Sequence, residues 1–244
     1  MCYQRRQLMK KTFIFIVVIF IFISSHAQAA FVLGGTRVVY NAGDNDVTLS
    51  VMNTSSLPYA GQAWTDPFHQ EAGNSIHSDA PNFVITPPVF RVEPGETQKL
   101  RFILATPPPS EEVESVYWIN VQEIPPEPKN SNTLQFAQRI RIKLFYRPDA
   151  LNELSASEAP TSLKISLTEE GVSIKNPAPF SVSFFSPLLE DKTGKKHPLD
   201  ELLTLLPGEE FIVKCQPCGY TRFHFQSIND FGGIDDHEPR EISP

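Results

Sequence analysis

From Thr133 to Tyr146 the chain reads TLQFAQRIRIKLFY, and its residues alternate in character at period two. One set is Leu134, Phe136, Gln138, Ile140, Ile142, Leu144 and Tyr146, apolar except at Gln138; the other includes Gln135, Arg139, Arg141 and Lys143. This is strand alternation. A helical face would gather Leu134, Ala137, Gln138 and Arg141, which is not a coherent apolar stripe. At about 3.3 Å per residue the strand would run roughly 45 Å, whereas strands in ordinary domains hold about 5 to 6 residues. Either a bend splits the stretch, or part of its apolar face is held out for something beyond its own domain.

The rest of the chain predicts shorter strands. Val38–Tyr40, Val47–Met52, Tyr59–Trp64, Phe83–Ile85, Val89–Val92, Gln98–Leu104 and Val116–Ile124 are separated by turn-forming clusters such as Gly43-Asp44-Asn45 and Glu93-Pro94-Gly95-Glu96. Strands at this spacing indicate an antiparallel sandwich. After Arg147-Pro148 a polar stretch from Asp149 to Thr161 has no period and reads as a domain boundary. Strands resume at Leu163–Leu167, Val172–Lys175, Phe180–Phe185, Leu202–Leu206, Phe211–Lys214 and Arg222–Ile228, which predicts a second, smaller sandwich. The acidic tail Asp235–Pro244 is expected to fray. The fold class is therefore all-β, with domains at residues 30–150 and 151–244.

Arg5, Arg6, Lys10 and Lys11, the apolar run Phe13–Ile23, and Ala27-Gln28-Ala29 make residues 1–29 a secretory signal peptide. The 11-residue run is too short for a membrane span of about 20 residues. Met9 could equally open the leader. The leader carries four of the 21 basic residues and none of the 28 acidic ones, so the mature chain has a net charge of −11. That balance disfavours nucleic acid as a partner, and after cleavage nothing suggests membrane insertion. The 22 prolines, about 9% against a usual ~5%, exclude a mostly helical protein. Cys215 and Cys218 are the only cysteines left after cleavage. In an exported chain they read as a small-loop disulfide. A redox centre, which should open a helix, and a zinc site, which needs more ligands, fit them less well.

The usual signatures of hydrolases, zinc proteases, phosphate-binding loops and dinucleotide folds are absent. His69, His77, His197, His224 and His237 are scattered without catalytic spacing. No catalytic residue, metal ligand set or cofactor is expected, and the chain reads as no enzyme.

Seven pieces occur in a telling order: Thr36-Arg37-Val38-Val39-Tyr40, Gln62-Ala63-Trp64, Thr86-Pro87-Pro88, Glu93-Pro94-Gly95, Glu123-Ile124-Pro125-Pro126, Lys143-Leu144-Phe145-Tyr146-Arg147-Pro148 and Ile228-Asn229-Asp230-Phe231-Gly232-Gly233. Together they resemble the PapD-like periplasmic chaperones of the chaperone–usher pathway, over about Phe31 to Gly233. The resemblance implies two immunoglobulin-like domains set as a boomerang, with a cleft for a fimbrial subunit that lacks its last strand. The chaperone donates its own strand, here Leu134, Phe136, Gln138 and Ile140, and an outer-membrane usher then receives the complex. Gln138 departs from the family, which usually has an apolar residue there. The short loop Pro125–Asn132 is like that of the branch that builds rod-type pili.

The resemblance also assigns roles to charged residues. Arg37 and Lys143 would hold the carboxylate at the subunit's own C-terminus. Glu114, Arg147 and Asp230 would form an interdomain salt bridge. For Arg139 and Arg141 the ordinary reading is retained, that charge on an edge strand blunts unwanted pairing. The rival from another class is an exported two-domain adhesin or pilus structural subunit; a subunit of the usual kind has one incomplete domain and an alternating N-terminal extension, whereas this chain reads as two domains with no such extension.

Overall fold

The computed structural model describes residues 30–68, 82–108, 110–128 and 134–243. The leader, His69, His77 and part of the loop before Leu134 lie outside the described residues. The first sandwich is built from β1 (Phe31–Leu33), β2 (Arg37–Asn41), β3 (Val47–Asn53), β4 (Tyr59–Pro67), β5 (Phe83–Thr86), β6 (Val89–Val92), β7 (Thr97–Leu104), β8 (Ser115–Ile124) and β9 (Arg139–Arg147). One sheet runs β1-β3-β7-β5 and the other β2-β9-β8-β4-β6. Period-two patterning drives this layering: Leu49 and Val51 on β3, Leu100 and Phe102 on β7, and Ile119 and Val121 on β8 all face the shared core. The short β1 and β2 lie in opposite sheets, and β2 pairs with β9 in parallel.

Two buried polar side chains, Asn53 and Glu123, hold this sandwich together through hydrogen bonds. The Asn53 amide donates to the carbonyls of Leu57 and Val92 at 2.8 and 2.9 Å. Glu123 is buried and accepts from the Phe31 backbone N–H at 2.7 Å, which pins β1 to β8. Gly61 is needed on β4, because a Cβ there would come within 2.5 Å of the Phe90 ring and 2.8 Å of Phe31.

The second sandwich comprises β10 (Lys164–Leu167), β11 (Gly171–Lys175), β12 (Val182–Asp191), β13 (Lys196–Pro198), β14 (Thr204–Leu205), β15 (Glu210–Lys214), β16 (Tyr220–Ile228), β17 (Ile234–Asp236) and β18 (Arg240–Glu241). One sheet is β10-β11-β15; the other follows β13-β12-β16-β17, with β14 pairing β12 and β18 pairing β16. Its core is separate and gathers Val172, Ile174, Leu189 and Phe223 among others. The fold is two β-sandwiches.

Four local expectations need correction. The long strand begins at Arg139, so Leu134, Phe136 and Gln138 are not in a strand. The stretch 149–161 is not featureless: it holds single helical turns at Asp149–Leu151, Ala156–Glu158 and Ala159–Ser162, and buries Leu151, Ala159 and Pro160. The tail is not frayed. β17 and β18 both pair with β16, His237 stacks on Phe225 at 4.8 Å, and Arg240 donates to the carbonyls of Thr161 and Leu163. Its acidic composition hid the role of backbone pairing in covering the β16 edge. Finally, the strand at 202–206 shrinks to Thr204–Leu205.

Candidate functional site

The apolar face of β9 changes its surroundings along its length. Leu144 and Ile142 are core, with 0% and 8% of their surface exposed, and Ile140 is half-buried; on the same alternation, Phe136 and Leu134 are 76% and 79% exposed. The reason lies in the partner strands. β8 stops at Ile124, and Pro125-Pro126 after it have no N–H to offer. The Glu123 N–H to Gln138 carbonyl bond, 2.8 Å, closes the ladder on that side. On the other side β2 covers only Lys143–Arg147. Residues 139–142 of β9 thus keep an open edge, and among the described residues no strand pairs with it.

Arg37 and Lys143 stand where that open edge ends, because they are the first register pair of β2 and β9. The Arg37 guanidinium donates through Nη1 to the Ile228 carbonyl at 2.8 Å and lies 5.3 Å from the centre of the Phe145 ring. Its Nε is buried with no hydrogen-bond partner among the described residues. Lys143 Nζ donates to the hydroxyls of Ser183, at 3.2 Å, and Thr204. Its ammonium is 5.8 Å from the Phe68 ring centre. Burial, with a smaller contribution from the Arg37 charge, pulls the Lys143 pKa down to about 8. Burial lowers that of Arg37 as well. Among the described residues neither cation is in an ion pair.

Four residues further along β9, Arg147 is fully engaged. Its Nε donates to Glu114 at 2.9 Å, and Nη1 and Nη2 donate to the two carboxylate oxygens of Asp230 at 2.7 Å each. The Glu114 carboxylate also accepts from the Ser181 N–H at 2.8 Å, and its backbone N–H donates to the Pro179 carbonyl. The Phe180 ring lies under the guanidinium at 5.3 Å. Residues of the first sandwich are thereby joined to two segments of the second, 179–181 and the turn at Asp230. Burial opposes charge on Arg147, yet its bonds to Asp230 and the nearby Glu114 raise its pKa further above its ordinary value. Burial pushes the Glu114 carboxyl up. Arg37 and Arg147 of the first sandwich and Ser183 and Asp230 of the second are among the residues that line a cavity of about 370 Å³ between the two.

Sequence reasoning missed Ser183 and Thr204. Both are buried polar residues flanked by apolar ones, Phe184 after Ser183 and Leu203 with Leu205 around Thr204, and that interruption was the available signal. It also missed the stacking of Arg141, whose guanidinium lies 4.4 Å from the centre of the Trp118 ring. Cys215 and Cys218 form a disulfide far from β9 in sequence, just beyond β15. Among the described residues no cluster of His, Cys, Asp and Glu could hold a metal ion, and no helix is long and apolar enough to cross a membrane.

Two family models match the chain in succession: "Pili and flagellar-assembly chaperone, PapD N-terminal domain" over residues 30–152, and "Pili assembly chaperone PapD, C-terminal domain" over residues 158–239. It belongs to the PapD-like family of pilus assembly chaperones. Among curated relatives of this chaperone, the probable fimbrial chaperone YadV of Escherichia coli K12 is 37% identical over 225 residues, covering 86% of this chain and 89% of the relative. The E. coli chaperone protein PapD is 33% identical, covering 87% of each. The crystal structure of YadV superposes with a TM-score of 0.72 at 33% identity, covering 88% of this chain and all of that one. A structure of the Salmonella enterica SafA pilin in complex with the SafB chaperone matches at 25% identity and a TM-score of 0.72, covering 90% and 99%.

Proposed function

We propose that this chaperone works in the periplasm, capturing incomplete pilus subunits by strand donation and passing them to an outer-membrane usher. Leu134, Phe136, Gln138 and Ile140 enter the subunit's open groove, while the free backbone edge of β9 pairs with the subunit's last strand. Arg37 and Lys143 hold that strand's terminal carboxylate. The observation that carries this reading is the change along β9, where one apolar face passes from core to solvent and the open edge ends at two cations that make no ion pair among the described residues.

On this reading the direction follows from the anchor. A strand that ends at Lys143, in line with β2 and running the same way, has its C-terminus towards the same end of β9 as β9's own, so it pairs in parallel. A terminal carboxylate is the one anion every subunit carries at a fixed place relative to its last strand. Pinning it sets the register, and a slip of one residue would turn the subunit's apolar face outward. Each new backbone bond contributes about 0.5 to 1.5 kcal/mol net and each buried Leu or Phe about 1.5 to 3 kcal/mol, so the donated side chains dominate. Arg147, with Glu114 and Asp230, orients the two sandwiches around the cleft. A paired buried charge adds little net stability but constrains geometry. Arg139 and Arg141 protect the edge until a subunit arrives.

Capture of co-expressed pilus subunits tests the reading. Replacing both Leu134→Ser and Phe136→Ser should leave the far-ultraviolet circular dichroism intact, because both residues are exposed, yet abolish one-to-one complexes and leave the subunit open to proteolysis. Undiminished protection by the double variant would overturn strand donation.

A further inference from the structure

Three of the four alternating residues that approach and enter β9 are apolar, and the fourth is Gln138. Its parity places it on the face of Ile140, Ile142 and Leu144. Its backbone is fixed: the carbonyl accepts from the Glu123 N–H at 2.8 Å and from the Gln122 side-chain amide at 2.9 Å. It is the point at which the segment from Leu134 meets the ladder of β8. Its own side-chain amide is exposed and makes no hydrogen bond within the described residues. Nothing in the described sandwich therefore calls for glutamine here.

We infer that Gln138 is a specificity-determining residue, selecting subunits whose groove presents a hydrogen-bonding group at the third of the four donated positions. The inference rests on strand donation as proposed above. When a groove closes over the segment, the amide at 138 loses its water. An apolar wall leaves that amide unpartnered, a loss worth roughly tenfold or more in affinity, whereas a polar group opposite restores the bond. The same wall would reward leucine. Gln138 thus favours grooves that carry a polar group at this level and disfavours those that are apolar throughout.

The position of that group follows from the register. Gln138 stands five residues before Lys143, about 17 Å along the strand. In parallel pairing from a carboxylate held at Lys143, the residue about five places before the subunit's C-terminus lies beside Gln138 and faces the same way. A Ser, Thr, Asn or Gln at or around that level is the expected partner.

The test compares the full chain with Gln138→Met, which keeps the length and loses the hydrogen bond, and with Gln138→Leu. Each is co-expressed with a pilus subunit that the parent captures, purified as the one-to-one complex, and challenged with excess tagged parent chaperone. Both variants should be displaced about tenfold faster than the parent. Displacement at the parent rate, or more slowly, would overturn the inference, since it would mean an apolar or indifferent pocket. The Leu134→Ser, Phe136→Ser chain serves as the separate check on strand donation. If it still forms the complex, or if the parent captures no subunit, then the underlying reading falls and this one with it.

Discussion

Two cationic sites stand four residues apart on β9, and their chemistry is opposite. Arg147 uses all three of its side-chain nitrogens on two carboxylates, so its charge is neutralised from within the chain. Lys143 meets two hydroxyls and an aromatic ring, and its neighbour Arg37 meets a carbonyl and a ring. Both of these cations are partly desolvated and neither is in an ion pair among the described residues; burial lowers both pKa values, although the nearby Asp230 and Glu114 charges offset part of this at Arg37. On the proposed reading the Arg147 site is a structural ion pair satisfied by the chain, and the Lys143 site an anion-recognition site satisfied by a carboxylate that enters the cleft.

The contrast predicts crossed outcomes. Removing Arg147 leaves Glu114 buried without its partner, so Arg147→Ala should lose about 3 to 5 kcal/mol of stability in urea unfolding. Lys143→Met removes a desolvated charge and orphans no buried partner of opposite sign. It should unfold at or slightly above the parent midpoint, yet bind a peptide copied from the last strand of a pilus subunit about 30-fold more weakly, or worse. Lys143→Met as destabilising as Arg147→Ala would erase the distinction between the two sites.

A smaller effect should appear with pH. Anion binding needs the charged lysine, and in the free chaperone Lys143 loses its proton around pH 8. A bound carboxylate favours the charged form and raises that pKa, so binding takes up a proton above pH 8. Affinity for the peptide should be flat below about pH 7 and fall towards tenfold by about pH 9. The parent's decline should vanish in Lys143→Met, and Arg147, whose pKa is raised, should contribute nothing in that range. An equal decline in both proteins would place the titration elsewhere.

The pattern of alternation made much of this legible. The apolar sets of β3, β7, β8 and β9 read directly as core faces, because each strand turns one side to a sandwich interior. The excess length of the stretch at 133–146 was also readable, although only coordinates show that the strand begins at Arg139. That boundary depends on the partner strand, where Pro125-Pro126 end the supply of donors, and a single strand's pattern does not contain it. Pairing of Ile234–Asp236 and Arg240–Glu241 with β16 was invisible for a similar reason, since backbone bonds need no apolar side chains. The bond between Arg147 and two distant carboxylates came from the family likeness, not from spacing, because Asp230 is 83 residues away. Ser183 and Thr204 escaped because isolated polar residues in apolar strands are common, and their meeting with Lys143 exists only once the two sandwiches are docked.

The central claim is that Arg37 and Lys143 recognise a terminal carboxylate, and its most direct test changes the ligand, leaving the chaperone untouched. Two peptides copied from the last strand of a pilus subunit, one ending as a free acid and one as an amide, differ only in the charge that the site is built to meet. Isothermal titration at pH 7 should find the acid bound more tightly by about tenfold or more, since hydrogen bonds to charged groups contribute about 1.5 to 3 kcal/mol. In Lys143→Met and in Arg37→Ala that preference should collapse towards unity. Equal binding of the acid and the amide by the parent chaperone would contradict the claim.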